Sequence, residues 1–207
     1  MSLVQGLDYT AVFIFGLSGA LAASRAQLDI VGFLFLACLT AVGGGTMRDV
    51  ILNREAVFWV SDPGMILSAC LAALLVFFTA HLFESRLRAL EWCDAAALAV
   101  AVPAGVGVAM NMESSAPIIA IMGIATGTLG GLMRDVVCNE VPLVLKKGEL
   151  YATAALSGAL AALGTAMLTD DRLIILLACG LTTFALRAGS LAFGWHLPVY
   201  KSRPKRN

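Results

Sequence analysis

Charge is what this chain has least of. Lys, Arg, Asp and Glu together make up only 14% of its 207 residues, whereas apolar residues make up 59% and mean hydropathy is +0.87. Soluble domains carry roughly a quarter charged residues, so a soluble globular protein is excluded, and no charged face is left for nucleic acid. Histidine is nearly absent, with only His81 and His196. The five cysteines, Cys38, Cys70, Cys93, Cys138 and Cys179, stand singly, without CxxC or Cys/His spacing. Neither a metal site nor a disulfide framework is therefore expected. P-loop and GxGxxG motifs are missing, as is any nucleophile with a base beside it, so neither an enzyme nor a cofactor is expected. The first eight residues have no basic n-region, so no cleavable signal peptide is expected and the first helix serves as the insertion signal.

What fills the chain instead is a series of uncharged apolar runs at 9–24, 30–47, 63–83, 95–112, 114–133, 150–169 and 173–186, the last continuing past Arg187 to 193. A membrane-spanning helix needs about 20 apolar residues. These runs are too long and continuous for the alternating strands of a barrel. The sequence predicts an all-α integral membrane protein of seven transmembrane helices, with no room for a soluble domain.

One stretch occurs twice. Gly43-Gly44-Gly45-Thr46-Met47-Arg48-Asp49-Val50 is followed by Asn53, and Gly130-Gly131-Leu132-Met133-Arg134-Asp135-Val136 by Asn139. From Arg48 to Arg134 is 86 positions, and the same shift carries Asp8 onto Asp94 and Asn53 onto Asn139. Such periodicity marks duplicated units. The expected organisation is a first three-helix repeat at 1–90, a second at 91–170, and a seventh helix with a basic tail at 171–207. Three spans per half is an odd number, so the second half is expected to be inverted relative to the first, an arrangement that places functional sites near the bilayer midplane at broken helices.

Basic residues set the orientation. One side of a seven-span topology holds only Arg54 and Arg172 apart from the repeated pair. The other holds Arg25, Arg86, Arg88, Lys146, Lys147, Lys201, Arg203, Lys205 and Arg206. The N-terminus is therefore expected outside and the C-terminus in the cytoplasm, where the tail also meets anionic lipid headgroups.

Each glycine weakens a helix by about 1 kcal/mol, so breaks are expected at Gly43, Gly44 and Gly45 in the second helix and at Gly130 and Gly131 in the fifth. A charged residue at mid-helix costs about 2.5–3.5 kcal/mol on insertion scales, so Arg48, Asp49, Arg134 and Asp135 require partners. Adjacent helical residues do not face one another. One arrangement pairs Arg48 with Asp135 and Arg134 with Asp49 across the repeat axis; in the other the pairs lie nearer the helix ends and merely clamp the halves together, with no ion passing. Thr46, Thr126 and Thr128 add hydroxyl oxygens, and with Asp49 and Asp135 they suit a hard monovalent cation. An arginine in such a lumen repels cations, so the Arg-Asp pairs are expected to gate it.

The doubled glycine-rich motif ending in Arg48-Asp49 and Arg134-Asp135, together with Asn53-Arg54-Glu55-Ala56-Val57-Phe58-Trp59 leading to Asp62-Pro63, resembles the prokaryotic branch of the trimeric intracellular cation (TRIC) channels. The resemblance extends over nearly the whole chain. It implies a seven-helix protomer in the cell inner membrane, a homotrimer, and a separate pore in each protomer for monovalent cations, chiefly potassium but also sodium. It further implies that the kinked second and fifth helices line the pore. The second copy departs from the first, with Leu129 where Gly43 stands and Leu132 where Thr46 stands.

A secondary transporter of a small solute such as an amino acid is the rival reading, since inverted repeats with broken helices are equally a transporter signature. A purely structural membrane protein ranks third, because buried charges are costly to keep.

Overall fold

The computed structural model describes residues 2–82 and 85–198. The basic tail positions Lys201, Arg203, Lys205 and Arg206, and the end of the third apolar run at Phe83, lie outside the described residues. The helices are α1 (Leu3–Arg25), α2 (Ile30–Ile51), a single turn α3 (Phe58–Ser61), α4 (Gly64–Thr79), α5 (Arg86–Asn111), α6 (Ala116–Val137), α7 (Ala152–Ala166) and α8 (Arg172–Phe193). Six are long and apolar enough to cross a membrane, counting the 3₁₀ turn that extends α4 to Leu82; α7, with 15 residues, is a shorter apolar helix.

Local chemistry explains the boundaries. Ser2, Asp29, Ser85 and Asp171 cap α1, α2, α5 and α8, each side-chain oxygen accepting from a backbone N–H of the first turn, as N-caps do. Left-handed backbone outside glycine occurs, among the described residues, at Gln27, Asn53, Glu113 and Asn139, each just past a helix end. These four form two pairs, 27 with 113 and 53 with 139, at the spacing of the duplicated motif. Helices α1 and α5 start well before the apolar runs at 9 and 95, because Asp8 and Asp94 are partnered inside the bundle and are tolerated within helix.

Helix α1 packs against α2, α4 and α5, while α5 packs against α1, α6, α7 and α8, so these two form the centre. The two sides join where α2 crosses α6. A methyl group built on Gly44 would strike the carbonyl oxygen of Thr126, and one on Gly130 would strike that of Thr40. Position 40 opposite 130 and 44 opposite 126 means that the helices cross antiparallel, with the crossing centred on Val42 and Thr128. Both helices run without interruption through their glycines. The breaks expected at Gly43, Gly44, Gly45, Gly130 and Gly131 are therefore absent: the glycines serve close backbone approach, which small residues permit in membrane helices.

Since backbone carbonyls cannot yield as a side-chain tip can, Gly44→Ala and Gly130→Ala are each expected to destabilise the detergent-solubilised protein by about 1–3 kcal/mol. Gly164→Ala, whose added methyl meets nothing within 4 Å, is expected to leave the midpoint unchanged or raise it slightly. Thermal unfolding of the three variants checks both.

Candidate functional site

Each duplicated Arg-Asp pair sits in the last turn of its helix, where the unpaired carbonyls favour a cation. On α2, Arg48 is wholly buried. It donates through Nε to Asp49 Oδ1 at 2.7 Å and through Nη1 to Asp8 Oδ1 on α1 at 2.9 Å. Asp49 is saturated: Oδ1 also accepts from Arg54 at 3.1 Å and Oδ2 from the backbone N–H of Phe58 at 2.8 Å. The Phe58 ring lies beneath the Arg48 guanidinium, its centroid 5.3 Å away, in cation–π range.

The arrangement recurs on α6. Arg134 donates through Nε to Asp135 Oδ1 at 2.8 Å and through Nη1 to Asp94 Oδ1 on α5 at 2.6 Å. Leu143 N–H donates to Asp135 Oδ2 at 2.8 Å. Ser18 on α1 is added here, accepting from Arg134 Nη1 and donating to Asp94 Oδ1 at 3.1 Å.

Neither expected cross-axis pair, Arg48 with Asp135 or Arg134 with Asp49, forms. Each arginine stands six positions beyond the crossing centre, which at 1.5 Å per residue is about 9 Å, in opposite directions. The networks thus lie about 18 Å apart, beyond the reach of one side chain and away from the crossing itself. Adjacent Arg and Asp do meet, each arginine spanning two carboxylates, its neighbour's and that of Asp8 or Asp94. The pairs do lie near helix ends, but each is bound within its own half, to Asp8 or to Asp94, and only Ser18 reaches from the first half to the second network.

The two ends differ in access. Ser2, Gln5, Asp8, Arg54, Phe58 and Asp62 are among the residues lining a cleft of ≈ 410 Å³ at the end of the bundle where α1 starts. Tyr9 Oη donates to both carboxylate oxygens of Asp62 at 2.9 and 3.0 Å, fastening α1 to the turn before α4. Beyond Asp8 and Phe58 a lumen of ≈ 10 Å³ reaches Phe15, Ala41, Gly45 and Thr126, room for about one water molecule. The Asp8 side chain is 11% exposed, that of Asp94 0%.

The threonines are only partly available. Thr46, Thr126 and Thr128 donate to the carbonyls of Val42, Met122 and Ile124, respectively, on their own helices. Thr46 also accepts from Trp59 Nε1 at 2.9 Å, and of the three Thr126 borders the lumen. Gly43 faces Met133 and Gly130, Gly45 faces the Phe58 ring, and Gly131 faces the Tyr151 hydroxyl. In the sequence Asp8 and Asp94 stand out only as register marks, Phe58 only within the resembling stretch and Arg187 only as an interruption of an apolar run, and no site role is legible for Ser18 or Tyr151. The shared shift was the signal for Asp8 and Asp94, and the interruption was the signal for Arg187.

Fold and site together define a multi-span helical membrane protein built around two intramembrane arginine–carboxylate networks. The family profile described as Glycine transporter matches residues 5–81 and again residues 91–167. The UPF0126 inner membrane protein YadS of Escherichia coli (strain K12) is 41% identical over 160 residues, 75% of each chain. A UPF0126 membrane protein of Vibrio cholerae is 36% identical over 203 residues, 96% of this chain and 82% of that one. A TRIC trimeric intracellular cation channel orthologue from Rhodobacter sphaeroides shares 39% identity and a TM-score of 0.90, covering 94% of this chain and 100% of that one. The chain belongs to this family, which joins the Glycine transporter profile to the prokaryotic TRIC channel fold.

Removing one partner of a buried ion pair leaves an uncompensated charge, at a cost of about 3–5 kcal/mol. Asp94→Asn is therefore expected to lower the unfolding midpoint in detergent more than Asp8→Asn, whose arginine can borrow water from the cleft. Equal losses would contradict this difference in access.

Proposed function

We propose that this protein is a monovalent-cation channel, permeable to potassium and sodium, that works in the inner membrane as a homotrimer with a separate pore in each protomer. The observation carrying this reading is the cleft that narrows past Asp8 to the lumen at Gly45 and Thr126, beside the α2–α6 crossing. The solved TRIC orthologue, a cation channel by name, supports it. The pore runs from Asp8 and Asp49 along Gly43, Gly44, Gly45 and Thr46, past Thr126, Thr128, Gly130 and Gly131, to Asp94 and Asp135. Because α2 and α6 are unbroken, their carbonyls stay committed to helix bonds, and coordination falls to carboxylate and hydroxyl oxygens. Arg48 and Arg134 act as gates, each closing its end while it bridges two carboxylates and opening it when one bond is released.

The two halves are inverted repeats in this reading, 1–90 and 91–170, followed by the seventh span and tail at 171–207. The doubled profile match and the antiparallel crossing support it. The N-terminus lies outside and the C-terminus in the cytoplasm. Membrane lipids surround the apolar residues exposed on α4, such as Leu67, Leu71 and Phe78. A secondary transporter of an amino acid is the second reading, favoured by the profile's own description.

Planar-bilayer recording of the purified protein in asymmetric potassium chloride separates the two. Unitary currents reversing near the potassium potential, and altered by Asp49→Asn and Asp135→Asn, are expected for the channel. A silent bilayer from folded protein, with saturable glycine uptake into proteoliposomes, would establish the transporter instead.

A further inference from the structure

The end of the bundle opposite the cleft is closed by a different set of residues, and one of them, Arg187 of α8, comes from outside the duplicated segments. Tyr151, just before α7, is 1% exposed. Its hydroxyl points at Gly131, the counterpart of Gly45: a methyl group there would meet Tyr151 Oη first, with Arg134 Nη2 and Asp94 Oδ1 next. At the cleft end, the Phe58 ring occupies the corresponding place against Gly45. The two rings reach equivalent glycines from non-equivalent chain positions, since the 86-residue shift relates Tyr151 to Met65.

What holds the rings also differs. Phe58 lies under Arg48 of the network itself. Tyr151 lies under Arg187 of α8, 5.2 Å from guanidinium carbon to ring centroid. Arg187 is wholly buried and anchored by Glu149 Oε2 at 2.7 Å. Helix α8 falls outside both matched segments, so the other half has nothing equivalent.

Buried polar atoms without a hydrogen-bond partner concentrate here. Among the described residues they are Asp94 Oδ2, Tyr151 Oη, Arg187 Nε and Nη2, and Arg134 Nη2, the last still ion-paired with Asp135 Oδ1 at 2.8 Å, against only Arg48 Nη2 in the other network. Groups left in that condition favour any rearrangement that lets water reach them. The closed arrangement is thus complete sterically and under-satisfied electrostatically, as a closed gate must be if it is also to open.

We infer that Tyr151, clamped by Arg187, is the plug that shuts Asp94 and Arg134 off from water at the end opposite the cleft. This rests on the channel reading, in which ions pass between the two networks. A path opens there when the ring leaves Gly131, and the seventh span controls that movement through Arg187.

The test uses a variant lacking the five native cysteines and carrying Ser18→Cys, a nearly isosteric change at a residue that touches both Asp94 and Arg134. Labelling of the new thiol by a small water-soluble methanethiosulfonate reports access without any need for current. Labelling is expected to be slow with Tyr151 in place and to rise about tenfold or more with Tyr151→Ala, the scale of shift that relieving one unpartnered buried group brings. Tyr151→Phe keeps the ring and is expected to stay as slow as the parent, while Arg187→Gln, which preserves the plug but loosens its clamp, is expected to lie between. In bilayers, open probability should follow the same order. Thermal unfolding of each variant establishes that it is folded, and Arg187→Gln carries the test if Tyr151→Ala does not fold. Unchanged labelling in folded Tyr151→Ala and Arg187→Gln would overturn the plug, as would equal acceleration by Tyr151→Phe and Tyr151→Ala. Accelerated labelling in a protein that passes no current would uphold the plug and refute the channel reading instead.

Discussion

A guanidinium cannot be left alone in hydrocarbon, and the architecture follows from that. Arg48 and Arg134 each need two carboxylates, and only one can come from the neighbouring residue on the same helix. The second must come from another helix, which fixes α1 and α5 at the centre of the bundle, because they carry Asp8 and Asp94. The second oxygens of Asp49 and Asp135 are filled by backbone N–H groups of the returning chain, at Phe58 and Leu143. Those bonds determine where the chain turns after α2 and α6. Local capping, helix order and the position of the turns are therefore consequences of the same requirement.

Close approach is the second constraint, and it acts at a different place. The glycines of the motif allow α2 and α6 to touch backbone to backbone at Gly44 and Gly130, while the charges are held about 9 Å to either side. A side chain at the crossing would push the helices apart and move both networks relative to α1 and α5. The motif thus combines a contact with an ion pair, and neither part would keep its geometry without the other.

The sequence made the helical class, the seven apolar segments and the 86-residue correspondence legible, because long uncharged runs and a gapless shift are direct traces of membrane burial and duplication. It also marked Arg48, Asp49, Arg134 and Asp135 as residues needing partners. What the glycines do was not legible: helix propensity measured in water overstates their tendency to break a helix whose backbone cannot bond to solvent, and both helices are continuous. The sequence left the pairing open between the repeat axis and the helix ends, because spacing along one helix says nothing of depth. Tyr151 and Arg187 could not be read as partners, since they meet through a contact between α8 and the start of α7 that has no counterpart in the other half.

Helix α7 carries a consequence for the surrounding bilayer. Its 15 residues rise only about 22 Å at 1.5 Å per residue, against a hydrocarbon core of about 30 Å. In the seven-span reading, lipid beside this helix thins unless the apolar residues flanking it, Leu150, Met167 and Leu168, complete the crossing, and each ångström of mismatch costs a fraction of a kcal/mol. In that reading acyl-chain length becomes a mechanical input to the protein, applied at the helix that begins one residue after Tyr151.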